Sequence, residues 1–133
     1  MLKLVVLVSL FAASLASFKF NVDQKHVNSW KKLSVPHNVC LEKENISPER
    51  FDSALDNMDF PEDKHFKCLF HCFFEKLNFY NEAEGTYNHE LMIEQISGLT
   101  KERANNCYTP RGPHDDCEHV FHGVKCAIKA LEV

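Results

Sequence analysis

Apolar residues in this chain recur at steps of three and four, the period of a helix with one buried face. Val22, His26, Trp30 and Leu33 form the first such stripe, and Pro36 interrupts it before a short turn toward Cys40. Phe51, Leu55 and Met58 mark a second helix. Ser47 is placed to cap it, with Pro48 at its first helical position and Glu49 in its first turn. A third is predicted from Pro61-Glu62-Asp63 to about Asn78, with Phe66, Phe70, Phe73 and Leu77 on one stripe and Phe74 flanking it. Asn81 to Gly85 is a polar, turn-rich break. Asn88 opens a fourth helix carrying Leu91, Met92 and Ile96, with Gly98 as its stop. Thr100 opens a fifth that reaches Cys107 and Tyr108. After the loop Pro110-Arg111-Gly112-Pro113, a sixth is expected from about His114 to Ala130, with Phe121, Val124 and Ile128 in register. No alternating strand pattern with hairpin turns is visible. The expected fold class is all-α, with six helices.

The start of the chain reads differently. Lys3, the apolar stretch Leu4 to Ala13 and the small residues of Ser14-Leu15-Ala16 have the three parts of a secretory signal peptide. A cut after Ala16 is expected, with Ser17 as the alternative. The apolar run is too short to span a bilayer, and no later segment is long enough. Residues 1–16 are thus read as a signal peptide and 17–133 as one secreted domain, without internal repeats or a linker. Losing that segment removes one lysine and no acid, so the formal net charge moves from −4 to −5. A mildly acidic chain is a poor partner for nucleic acid or anionic lipid, both of which bind basic patches.

The cysteines narrow the picture further. Cys40, Cys68, Cys72, Cys107, Cys117 and Cys126 all lie beyond the leader, and an even count in a short exported chain reads as a disulfide framework. Cys68 and Cys72 sit one turn apart on the third helix and share a face. They can hold two different neighbours against it. Cys117 and Cys126 fall on opposite sides of the sixth helix, so they do not readily bond to one another. Many pairings remain open on these grounds alone.

Three residues between the second and third cysteine and eight between the fifth and sixth, on a helical secreted chain, resemble the insect odorant-binding proteins of six-cysteine type. The similarity runs from about Val27 to the end. It implies six helices around an apolar cavity and the bridges Cys40–Cys72, Cys68–Cys117 and Cys107–Cys126. It also implies a carrier for an odorant, pheromone or lipid-like molecule, acting as a monomer or weak homodimer, with an olfactory receptor as a further partner. Some carriers of this kind have a long tail that enters the pocket at low pH. Only seven residues follow Cys126 here, so Leu131 and Val133 would at most cover one opening.

The residues expected to line such a pocket are Phe66, Phe70, Phe73, Phe74, Leu77, Leu91, Met92, Ile96, Phe121 and Val124, with Trp30 as a wall or lid. Aromatic and Met-bearing walls suit apolar ligands, although apolar helical faces also simply pack. Other chemistry was weighed. A biogenic-amine scavenger on the same fold would need a carboxylate, for which Glu75, Glu94 and Glu118 are candidates. His65, Cys68, His71 and Cys72, and likewise Cys117, His119, His122 and Cys126, could hold zinc only with reduced cysteines. No metal or cofactor is therefore expected. His114-Asp115 lacks the glycine-rich calcium loop of secreted phospholipases, so no catalytic residue is assigned. His89, His114, His119 and His122 are candidates for a pH-sensitive pocket mouth. Asn45-Ile46-Ser47 is a glycosylation sequon that competes with the capping role of Ser47. A secreted structural or inhibitory module without a ligand is the remaining alternative.

Overall fold

In the computed structural model, residues 18–133 are described; the expected leader, 1–16, and both cut sites lie outside them. Strand β1 (Phe18–Lys19) leads to helices α1 (Gln24–Ser34), α2 (Asn38–Lys43) and α3 (Pro48–Asn57), then β2 (Asp59–Phe60) and α4 (Lys64–Lys76). The short strands β3 (Tyr80–Asn81) and β4 (Thr86–Tyr87) precede α5 (His89–Gln95), α6 (Lys101–Cys107) and α7 (Asp116–Ala130). A single 3-10 turn at Val35–His37 joins α1 to α2, so the two form one bent helical segment with Pro36 at the bend. Counted that way, the helical segments among the described residues are six.

Local chemistry sets the helix starts. Asp23, Ser47, Asp63, Asn88, Thr100 and Asp115 each accept a backbone N–H from the first turn of α1, α3, α4, α5, α6 and α7. Each such cap contributes about 1 kcal/mol. Several boundaries shift from expectation for this reason. Val22 lies before the Asp23 cap, yet it packs on the core from outside the helix. Asp63, not Pro61, begins α4. Asp115 caps α7, so His114 stands outside it. At the other end, α4 stops at Lys76 because Asn78 turns left-handed at φ 62°. Helix α5 ends at Gln95, with Ile96 already extended and Gly98 left-handed at φ 87°.

Two antiparallel strand pairs also depart from the all-helical reading. Phe18 lies opposite Phe60, and Tyr80 lies opposite Tyr87. Each strand is two residues long, too short to show alternation in sequence. The second pair is turned by Gly85 at φ 68°. It brings the rings of Tyr80 and Tyr87 to a 4.8 Å centroid separation.

Helix α4 is the central element, burying Phe66, Leu69, Phe70, Cys72, Phe73 and Phe74. Two of the three disulfides hold it. Cys72 is bonded to Cys40 of α2, and Cys68 to Cys117 near the start of α7. The third bridge joins Cys107 at the end of α6 to Cys126 on the far side of α7. No charged or polar residue among those described is fully buried.

Where α7 crosses the end of α6, Gly123 allows the approach. A Cβ there would sit 2.7 Å from the Tyr108 ring and 3.2 Å from the Cys107 carbonyl oxygen. We predict that Gly123→Ala lowers stability by about 1–3 kcal/mol in chemical denaturation, because overpacking outweighs the better helix propensity of alanine. Gly112→Ala, where a Cβ meets nothing within 4 Å, should be nearly neutral. A Gly123→Ala protein as stable as its parent would contradict the packing account.

Candidate functional site

The C-terminal halves of α4 and α7 do not close on one another. Between them lies a cavity of about 100 Å³. Helix α4 and its cap contribute Phe70, Phe73, Phe74 and Leu77, and α7 with its cap contributes Val124, Ala127, Ile128 and Leu131. Trp30, Leu33 and Ser34 wall it from α1, and Phe51 and Leu55 from α3. Phe79, Ile96, Gly98, Leu99, Arg103 and Tyr108 complete it. Phe51 meets Phe73 at 5.3 Å between centroids and Phe74 meets Tyr108 at 5.7 Å, so the inner wall is an aromatic cluster.

Seven of the predicted residues line this cavity: Trp30, Phe70, Phe73, Phe74, Leu77, Ile96 and Val124. Four do not. Phe66 is one turn too early on α4; it packs beside Phe60 at 6.4 Å, with the Arg50 guanidinium over its ring. Phe121 is one turn too early on α7 and fills the space beside Phe70. The Cys68–Cys117 bridge pins those early turns together, with Cα atoms 4.5 Å apart, so the space there is taken up by packing. Met92 is fully buried outside the lining, and Leu91 is partly buried against the core. Only the cap of α5, Ile96, reaches the cavity.

The lining residues not expected came from two sources. Leu33, Phe51, Leu55 and Ile128 were legible as apolar faces but indistinguishable there from packed core. Arg103, Gly98, Leu99 and Tyr108 lie at helix ends and in a connection, where periodicity carries no signal. Gly98 is needed there, since a Cβ would meet Leu131 Cδ1 at 2.8 Å and His26 Cε1 at 3.1 Å. Leu131 lines the cavity, whereas the Val133 side chain is 85% exposed.

Polar groups at the rim are largely committed within the fold. Trp30 Nε1 donates to the Ser97 carbonyl at 3.1 Å, and Ser34 Oγ donates to the Lys31 carbonyl at 2.8 Å. None of the carboxylates weighed for an amine lines the cavity. Glu75 faces His71 Nε2 at 2.7 Å, Glu118 takes Lys67 Nζ at 2.6 Å, and Glu94 is exposed. Nor do His89, His114, His119 or His122 reach the lining. His89 and His119 bond the carbonyl oxygens of Tyr108 and Thr109, and His114 and His122 face one another. His26 stacks on the lining residue Trp30 at 6.0 Å and is bonded to Ser97 Oγ.

A second polar group lies beyond α4, outside the cavity lining. His71, Glu82 and Asp116 bring possible ligand atoms within 4.8 Å of one another. They already have protein partners: His71 faces Glu75, while Asp116 accepts from Tyr80 Oη at 2.6 Å and Arg111 Nη1 at 2.8 Å. All six cysteine sulfurs are oxidised, so the histidine–cysteine sets offer no thiolate. The Asp115 side chain accepts the Glu118 N–H as a helix cap. Burial acts to raise the Asp116 pKa, but the bonds from Tyr80 and Arg111 outweigh it and hold the carboxyl below its ordinary value.

The PBP/GOBP family profile matches residues 23–130. No curated protein matches the sequence at a significant level. Among solved structures, the fatty acid binding protein OBP56a from the oral disk of the blowfly Phormia regina aligns at 27% identity and TM-score 0.56, covering 74% of this chain and 88% of its own. The medfly odorant-binding protein CcapOBP22/CcapOBP69a aligns at 24% identity and TM-score 0.53, over 74% and 84% of the two chains. Odorant Binding Protein 7 from Anopheles gambiae, solved with an azo compound, aligns at 24% and TM-score 0.51, over 76% and 85%. The chain belongs to the PBP/GOBP family.

The polar group yields a pH test. Because the folded Asp116 pKa lies below its unfolded value near 3.9, its contribution is complete above about pH 4 and fades as pH falls through the folded value. Asp116→Asn should therefore cost on the order of 1 kcal/mol at pH 7, after discounting for solvent exposure. The difference should shrink as pH is lowered below about 4. A pH-independent difference in denaturation midpoints would show that the carboxylate charge is not what matters.

Proposed function

We propose that this PBP/GOBP family member is an exported carrier that holds one small hydrophobic molecule, of the odorant, pheromone or lipid kind, in the cavity between α4 and α7. The observation that carries the reading is an apolar, aromatic-lined cavity in a domain clamped by three disulfides. The blowfly relative, described as fatty acid binding, supports a ligand of this class. So does the azo compound bound to the mosquito protein of the same fold. Oxidised cysteines fit an extracellular setting, and residues 1–16 would supply the export signal. The lining, mostly hydrocarbon and aromatic, supports carriage of an apolar molecule.

The cavity is small for its expected cargo. Trp30, Leu33, Leu77, Ile96 and Leu131 are only partly buried, whereas Phe73, Phe74, Val124 and Ile128 are buried. The first set can swing outward at lower packing cost, so ligand entry would displace the rim and leave the inner wall in place.

Trp30 makes the test direct, because it is the single tryptophan and it lines the cavity. N-phenyl-1-naphthylamine should bind saturably, with a dissociation constant in the micromolar range (about −8 kcal/mol), and alter Trp30 emission in step. Val124→Phe, which fills the space, should weaken binding at least about tenfold while the helical circular dichroism is kept. A folded, oxidised protein that binds no apolar probe would favour the structural or inhibitory module instead.

A further inference from the structure

The polar face of α4, outside the cavity lining, gathers donors of the kind that hold a metal ion. His71 and Glu75 stand one turn apart on α4 and share a face. Their Nε2 and Oε1 atoms are both closed off from solvent and lie 2.7 Å apart, yet they are not aligned for a hydrogen bond, and neither has another hydrogen-bond partner. Glu82, exposed on the β3–β4 turn, brings its carboxyl into contact with that of Glu75. Asp116, at the first position of α7, accepts Tyr80 Oη and Arg111 Nη1 on the same oxygen, Oδ1, and neither bond uses Oδ2. Possible ligand atoms of His71, Glu82 and Asp116 lie within 4.8 Å of one another, beside a surface cleft of about 450 Å³.

Buried polar atoms normally find partners, and two carboxyls in contact need a proton or a metal ion between them. The charges point the same way. Glu75, Glu82 and Asp116 meet a single guanidinium, that of Arg111, while Lys67 is matched by Glu118 and Lys64 of the same cleft is exposed. Donors about 2.1 Å from a zinc ion stand roughly 3–3.5 Å from one another. The His71–Glu75 pair is already near that spacing, and the exposed Glu82 can swing inward to reach it. One imidazole with three carboxylates suits zinc better than calcium, which takes oxygen ligands. We propose that His71, Glu75, Glu82 and Asp116 bind one zinc ion, which ties the β3–β4 turn to α4 and to the start of α7. The oxidised cysteines take no part.

The test titrates zinc chloride into the oxidised, chelator-treated protein at pH 7.4 by calorimetry. One ion per chain should bind, with a dissociation constant of about 10 μM or tighter, and the thermal midpoint should rise with zinc concentration. Glu82→Gln, on an exposed turn, should weaken binding about tenfold or more, and His71→Gln at least as much. His114→Ala/His122→Ala removes a facing histidine pair outside the site and should leave the affinity unchanged. Calcium at about 1 mM should not displace the zinc. Should His71→Gln fail to fold, Glu82→Gln and the zinc-dependent midpoint of the unmodified protein decide. No saturable zinc binding, a loss of less than tenfold in folded Glu82→Gln, or a loss in the His114/His122 variant instead would each overturn the assignment. Displacement by calcium would overturn the choice of an imidazole-seeking ion.

Discussion

The architecture depends on one helix being tied to two different neighbours from one face. Cys68 and Cys72, a single turn apart on α4, are bonded to α7 and α2 respectively. Two bonds on one face fix the rotation of α4 about its axis as well as its position. That rotation decides which phenylalanines look inward. The Cys107–Cys126 bridge then holds α7 from its other side, with Tyr108 seated on Gly123. Helices so constrained cannot slide together to fill residual space. An empty apolar cavity weakens a domain of this size through lost contacts, and covalent closure of the chain offsets that loss by restricting the unfolded state, by about 3–4 kcal/mol per bridge in the loop-entropy account.

The same constraint divides the molecule into two environments. Past the Cys68–Cys117 bridge, the later turns of α4 and α7 face the cavity with Phe, Val and Ile. The other face of α4 presents His71 and Glu75 toward Asp116, Arg111 and the β3–β4 turn. That turn approaches α7 through Tyr80 and Asp116, and burial together with Asp116 pushes the Tyr80 phenol well above its ordinary pKa. Tyr108, within the cavity wall, is pushed up by burial alone. Ionised groups thus collect where hydrogen bonds and solvent meet them, and the cavity surface stays almost wholly apolar.

Much of this was legible in the residues. Caps such as Ser47, Asn88 and Thr100 act within one turn of the backbone, so sequence reveals them without any knowledge of packing. The opposite placement of Cys117 and Cys126 follows from helix geometry alone. What sequence could not supply was where facing helices leave a gap. Phe66 and Phe70 occupy equivalent positions on one stripe and both pack on Phe60, yet only the second also lines the cavity. Only the position of the Cys68–Cys117 bridge relative to each turn separates them. The two short strand pairs escaped for a related reason: two residues carry no period, and the partner of β1 lies about forty residues away.

Arg103 illustrates how a helix end can complete a wall made by helix faces. Thr100 Oγ1 accepts its backbone N–H, fixing the residue in the first turn of α6. Gly98, left-handed and without a side chain, lets Leu131 and His26 close around the preceding loop. The guanidinium is therefore held against the Gly98 carbonyl at the border between solvent and hydrocarbon. The half-buried rim residues around it can move aside for a molecule longer than the resting cavity accepts. The site thus joins a fixed part, held by a capped helix, to a movable part made of side chains that solvent already reaches.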